Sequence, residues 1–145
     1  MPLKKLILLL LPLFLFAQTP FILTGVKKVY PMVEINTKEL DPALKETIVK
    51  RLLATTKALG INTQGYSPRP LVIQITTSSI NDTLVYKTAL IMGEEMKRID
   101  DGEEVFAITY QMSDTIEPDD VKADVLESVD FLLDQFSDQY KEDNE

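Results

Sequence analysis

A chain of 145 residues carrying 23 acidic and 15 basic side chains has a formal net charge of −8, which argues against nucleic acid as a partner because binding phosphate backbones needs clustered Lys and Arg. Cysteine and histidine are both absent, so disulfides, thiolate nucleophiles, imidazole metal ligands, histidine triads and a cysteine-linked lipid anchor are excluded. The length fits one domain held together by apolar burial alone.

Lys4 and Lys5 precede an uninterrupted apolar run over residues 6–16 (LILLLLPLFLF), and Ala17 is followed by the polar Gln18, Thr19 and Pro20. This is the layout of a cleavable secretory signal over residues 1–17. The competing reading is an uncleaved signal anchor, since no charge occurs between Lys5 and Lys27 and Leu15 is large for a cleavage motif. Both readings place the rest of the chain outside the cytoplasm, periplasmic or secreted in the first case and anchored to the inner membrane in the second. A tether is expected over residues 18–28, a single domain over 29–140 and a fraying acidic tail over 141–145.

Residues 29–35 read as a strand whose Pro31 cannot donate a ladder hydrogen bond, which places it at a sheet edge. Asp41 and Pro42 announce a helix, with the aspartate as cap and the proline at the first helical position. Leu44, Ile48, Leu52, Thr55 and Leu59 recur on one face of that helix, and Gly60 ends it. After a stiff loop over residues 66–70, residues 71–77 alternate Leu71, Ile73 and Ile75 against Val72, Gln74 and Thr76, the pattern of a central strand. A turn over residues 79–82 leads to two more strands, 83–92 and 103–112, extended into a long twisted hairpin that reverses at Asp101 and Gly102. On the second of these, Phe106, Ile108, Tyr110 and Met112 share the face expected to meet the helices.

Pro118, Asp119 and Asp120 open a final helix with negative charge at its positive end. Val121, Val125, Val129, Leu132, Phe136 and Tyr140 give it an apolar stripe, widened by Leu126 and Leu133. The order β-α-β-β-β-α predicts an α+β two-layer sandwich: a mainly antiparallel four-stranded sheet with both helices on one face. The other face is expected to carry Val72, Gln74, Val85, Lys87, Ala89, Val105, Thr109 and Gln111, a mixed surface open to water or to a second copy. Through Leu59, Gly60 and Ile61, residues 71–75 (LVIQI) and the aromatic-ended helix over residues 131–140, the chain resembles small signal-bearing bacterial periplasmic α+β proteins of uncharacterised function. That resemblance is architectural and implies no activity, cofactor or site residue.

Two groups of residues stand out as candidates for chemistry. Asp100, Asp101 and Glu103, beside Glu94, Glu95 and Glu104 at the hairpin tip, are of the type that binds hard cations, although they reproduce only a fragment of a calcium loop. With Lys97 and Arg98 interleaved, the simpler reading of them is a solvated, solubilising turn. Tyr66 and Arg69, on a loop stiffened by two prolines, are the type of pair that frames a recognition groove, or else a plain connector. Ser78 and Ser79 lack a histidine partner, and no acid is placed by the sequence in an apolar cleft as a glycosidase requires. The reading is an exported non-enzymatic binding or accessory module of unknown ligand and without a cofactor, working through the open sheet face, the hairpin or the loop over residues 66–70, with a protein partner or a second copy as its contact. The alternatives are a cation-dependent or carboxylate-based activity at the acidic hairpin, and a structural homodimer. Membrane contact is expected only through the N-terminal segment, if it stays uncleaved.

Overall fold

In the computed structural model, which describes residues 21–145, β1 (Tyr30–Asn36) leads through α1 (Ala43–Ala58) to β2 (Pro70–Ile80), β3 (Thr83–Lys97) and β4 (Glu104–Ile116), and α2 (Val121–Asn144) follows. The expected signal segment over residues 1–17 lies outside the described residues. The strands form one sheet in the order β1-β2-β3-β4. β1 and β2 run parallel because the α1 crossover returns the chain in the same direction, whereas the two hairpins make the remaining pairs antiparallel. The fold is thus the expected α+β sandwich, with one parallel pair at its edge and Pro31 on the edge strand.

Local chemistry sets most boundaries. The Asp41 carboxylate accepts the Ala43 amide at 2.9 Å and starts α1. Gly60, at φ +71°, ends it, with the Gly60 amide donating to the Lys57 carbonyl at 3.1 Å and the Ile61 amide to that of Thr56 at 2.9 Å. Those two bonds form a Schellman motif, which needs a left-handed residue where glycine stands. The buried face of α1 is Leu44, Ile48, Leu52 and Thr56, so Thr56 replaces the expected Thr55. Its hydroxyl donates to the Leu52 carbonyl at 3.0 Å, which satisfies the polar group inside the helix and permits burial.

The β2–β3 turn is tighter than expected. Asn81 and Asp82 both take positive φ, 49° and 64°, the signature of a two-residue hairpin loop. Pairing therefore continues to Ile80 and Thr83. At α2 the cap is Asp120, whose carboxylate accepts the Ala123 amide at 3.0 Å. Asp124 in turn accepts the amides of Asp119 and Asp120 at 2.8 and 3.0 Å, leaving Pro118 outside the first turn where the sequence had suggested it.

Leu71, Ile73 and Ile75 of β2, with Leu90 and Met92 of β3 and Tyr110 of β4, pack beneath Leu44, Ile48 and Leu52 of α1 and Val125, Val129, Leu132 and Phe136 of α2. The segment expected as a tether belongs to this core over its described part: Leu23 and Val26 are buried. The Leu23 amide donates to Asp143 at 2.6 Å, the Gly25 amide to Asn144 at 2.9 Å, and the Tyr140 hydroxyl to the Val26 carbonyl at 2.9 Å. The expected fraying tail is accordingly helical to Asn144, because its side chains cap the N-terminal segment.

The largest departure lies in β4. Met92 pairs with Tyr110 but Gly93 pairs with Ile108, so Thr109 is an extra, unpaired residue and the ladder bulges there. One inserted residue resets the alternation, and every side chain beyond it changes face. Phe106 and Ile108, expected to meet the helices beside Tyr110 and Met112, instead lie on the open face and are 61% and 52% exposed. Val105, expected on the open face, pairs with Met96 on the other.

Tyr110 fills the core below the bulge, edge-on to Phe136 at 5.3 Å between ring centroids and tilted against Phe21 at 6.0 Å. Its hydroxyl meets no hydrogen-bond partner among the described residues, and burial pushes its pKa up to about 12. Tyr110→Phe is therefore expected to leave stability at neutral pH unchanged or to raise it by up to ~1 kcal/mol, since no bond is lost. A folded-state pKa above the unfolded value near 10 means that stability is lost as pH rises from about 10 through about 12. Urea unfolding across that window should show a flatter profile for the variant, and a clear loss of stability at pH 7 would mean that the hydroxyl is engaged.

Candidate functional site

The open face of the sheet is ordered by polarity along the strands. Met32, Val72, Ile91 and Gln111 lie in register across all four strands, a row that is apolar but for its last member. The next row is Glu34, Gln74, Ala89 and Ser113, and the one after it Asn36, Thr76, Lys87 and Thr115. Gln74 donates to Glu34 at 3.3 Å within the polar part. At the apolar end, Tyr30 starts β1 and the β3–β4 arm continues past β2, whose pairing with β3 begins at Leu71 and Met92.

The bulge adds Phe106 and Ile108 to this end. A methyl group at Gly93 would collide with the Phe106 ring, so the aromatic lies over a strand residue that has no side chain of its own. Glycine weakens a strand and exposes its backbone, and a cross-strand aromatic covers the gap. Tyr30, Met32, Phe106 and Ile108 are all exposed, and Val72 and Ile91 between them are half-buried. Met96, on the opposite face of the arm, and Ile99 at its tip are also exposed. Exposed apolar side chains gathered on one face of a charged protein make this the candidate site.

The two sequence candidates fare differently. Arg69 turns inward: its guanidinium forms an ion pair with Glu94 of β3 and donates to the Lys28 carbonyl at 3.4 Å. Tyr66 is 77% exposed. The structure thus assigns Arg69 to fastening the loop onto the hairpin and does not join the two residues into one groove. At the tip, Asp101 pairs with Arg98 at 2.8 Å and accepts the Glu103 amide at 3.0 Å. Among the described residues no group of three or more acidic side chains is placed to hold a metal ion, so Asp100, Asp101 and Glu103 do not converge.

The apolar surface was missed because its members are spread over four strands and a bulge. The signal that pointed to it was Gly93 inside a strand pattern, which marks a bulge or a close approach. No helix among the described residues is long and apolar enough to cross a membrane.

The contrast between Arg69 and Tyr66 is measurable. Arg69→Ala should lower stability by about 1–2 kcal/mol, because it strands a half-buried Glu94 carboxylate and frees the loop. Tyr66→Ala should change it by less than ~0.5 kcal/mol, as an exposed loop substitution does. Urea unfolding of both variants checks the difference, and equal effects would contradict the assignment.

No protein-family profile matches the chain, and no curated protein matches it. A solved structure of a minor lipoprotein from Acinetobacter baumannii is similar over 81% of this chain and 92% of that one, with 13% sequence identity and a TM-score of 0.34. Similarity at that level transfers neither an activity nor a site to this chain.

Proposed function

We propose that the protein is an exported, non-enzymatic binding module that holds a protein partner against the apolar end of its open sheet face. The observation that carries this reading is the exposed set Tyr30, Met32, Phe106 and Ile108. In a chain of net charge −8, these residues form a surface that water covers at a cost of roughly 25 cal/mol per Å² of apolar area. A polypeptide is favoured over a bilayer because the flanking arm carries Glu95, Glu103 and Glu104, which anionic headgroups repel. The absence of His and Cys from the sequence supports a role without covalent or acid–base chemistry. The basic pair Lys4 and Lys5 with the apolar run at residues 6–16 supports export, as periplasmic or secreted protein or as a membrane-anchored one.

Replacing Phe106 by a photo-crosslinking phenylalanine analogue in the producing cell tests the proposal, with the same analogue at exposed Lys57 of α1 as control. Adducts to another protein should form at position 106 and not at 57. Equal labelling, or none, would count against the patch, and an adduct of twice the chain mass would assign it to self-association.

A further inference from the structure

β4 is a terminal strand of the sheet, so on the C-terminal side of the bulge at Thr109 one side of residues 110–116 has no strand neighbour among the described residues. The opposite terminal strand, β1, is guarded by Pro31, which has no amide hydrogen to offer. Residues 110–116 (YQMSDTI) contain neither proline nor lysine. Among the described residues, this is the sheet edge best suited to accept a further strand.

The edge is bordered by a groove of about 410 Å³ between the end of β4 and α2. Ile116 and Phe131 form its apolar part, and Asp114, Glu117, Asp124 and Glu127 line the rest. Phe131 is half exposed although it belongs to a helix whose other large apolar residues pack inward. Asp114 accepts the Ser128 hydroxyl at 2.8 Å, and Asp124 caps its own helix. Glu117 and Glu127 have no ion-pair partner among the described residues.

We propose that this edge and groove receive an extended basic segment of a partner polypeptide, which adds to β4 as a fifth strand. Main-chain bonds to residues 110–116 supply the pairing. Because side chains alternate along a strand, every second residue of the incoming segment faces the α2 side. There the charged ends of Lys or Arg meet Glu117 and Glu127, and the aliphatic stems of the same side chains lie on Ile116 and Phe131. Charge selects this occupant over a second copy, which would bring the same carboxylates to the same edge and be repelled. The surface is separate from the apolar patch, and either can fail without the other.

The test uses an alternating Lys-Val peptide of about eight residues, long enough to span the edge, with the purified protein. Two control peptides accompany it: the Glu-Val counterpart, and the Lys-Val peptide with two central valines replaced by proline. Titration calorimetry at low and physiological salt gives affinities, and amide hydrogen exchange gives location. The Lys-Val peptide should bind and protect amides within residues 110–116, with both controls at least about tenfold weaker. The double variant Glu117→Gln and Glu127→Gln should bind it at least about threefold more weakly and with a shallower salt dependence, at an unchanged melting temperature. Ile108→Ser, in the apolar patch, should bind it as the unaltered protein does. Equal binding of the proline peptide would reduce the effect to charge alone and overturn the proposal. So would protection elsewhere, loss of binding on Ile108→Ser, or no binding at all.

Discussion

The register between β3 and β4 governs what this molecule presents to solvent. At one point, between Met92 and Gly93, the partner strand advances by two residues where β3 advances by one. Below that point Tyr110 and Met112 serve the core; above it Phe106 and Ile108 face outward. A strand with regular alternation would have carried four apolar residues toward the helices and left the arm's outer face to Val105 and Thr109. The bulge converts half of that potential core into surface, and Gly93 makes room for the ring that results.

The conversion is tolerable because the core is completed from elsewhere. Phe21, Leu23 and Val26 from the N-terminal segment join the core, with Phe21 packed against Tyr110. Their polar backbone groups find partners on the last turns of α2, as burial of a non-regular segment demands. The Arg51–Asp130 ion pair and the Arg51 bond to the Leu126 carbonyl at 3.1 Å tie the two helices together on their outer side. Being partly exposed, these contacts fix orientation more than they add stability.

Much of this architecture is legible in the residues themselves. Asp41 and Gly60 bracket α1, Asp120 opens α2, Pro31 assigns an edge, and the alternation of residues 71–77 marks a strand interior; each acts through its immediate neighbours. What escaped were effects that depend on distant ones. Residues 21–28 look like linker until residues 140–144 are placed beside them. Arg69 looks like a recognition residue until Glu94, on another element, claims its charge. The face of Phe106 cannot be read from β4 alone, because a bulge is a property of two strands. The acidic groove beside β4 likewise joins residues on a strand, a turn and a helix that share no motif.

The contacts between residues 21–26 and residues 139–144 also impose an order on the birth of the molecule. They join positions separated by 114 to 121 residues in the chain, so a growing polypeptide cannot make them until residues 139–144 have been added. Until then Phe21, Leu23 and Val26 lack the ends of α2 against which they pack, and Tyr110 lacks Phe136. Contacts of such long range are slow to form even in the complete chain. The N-terminal segment therefore docks last, once the closing turns of α2 are in place.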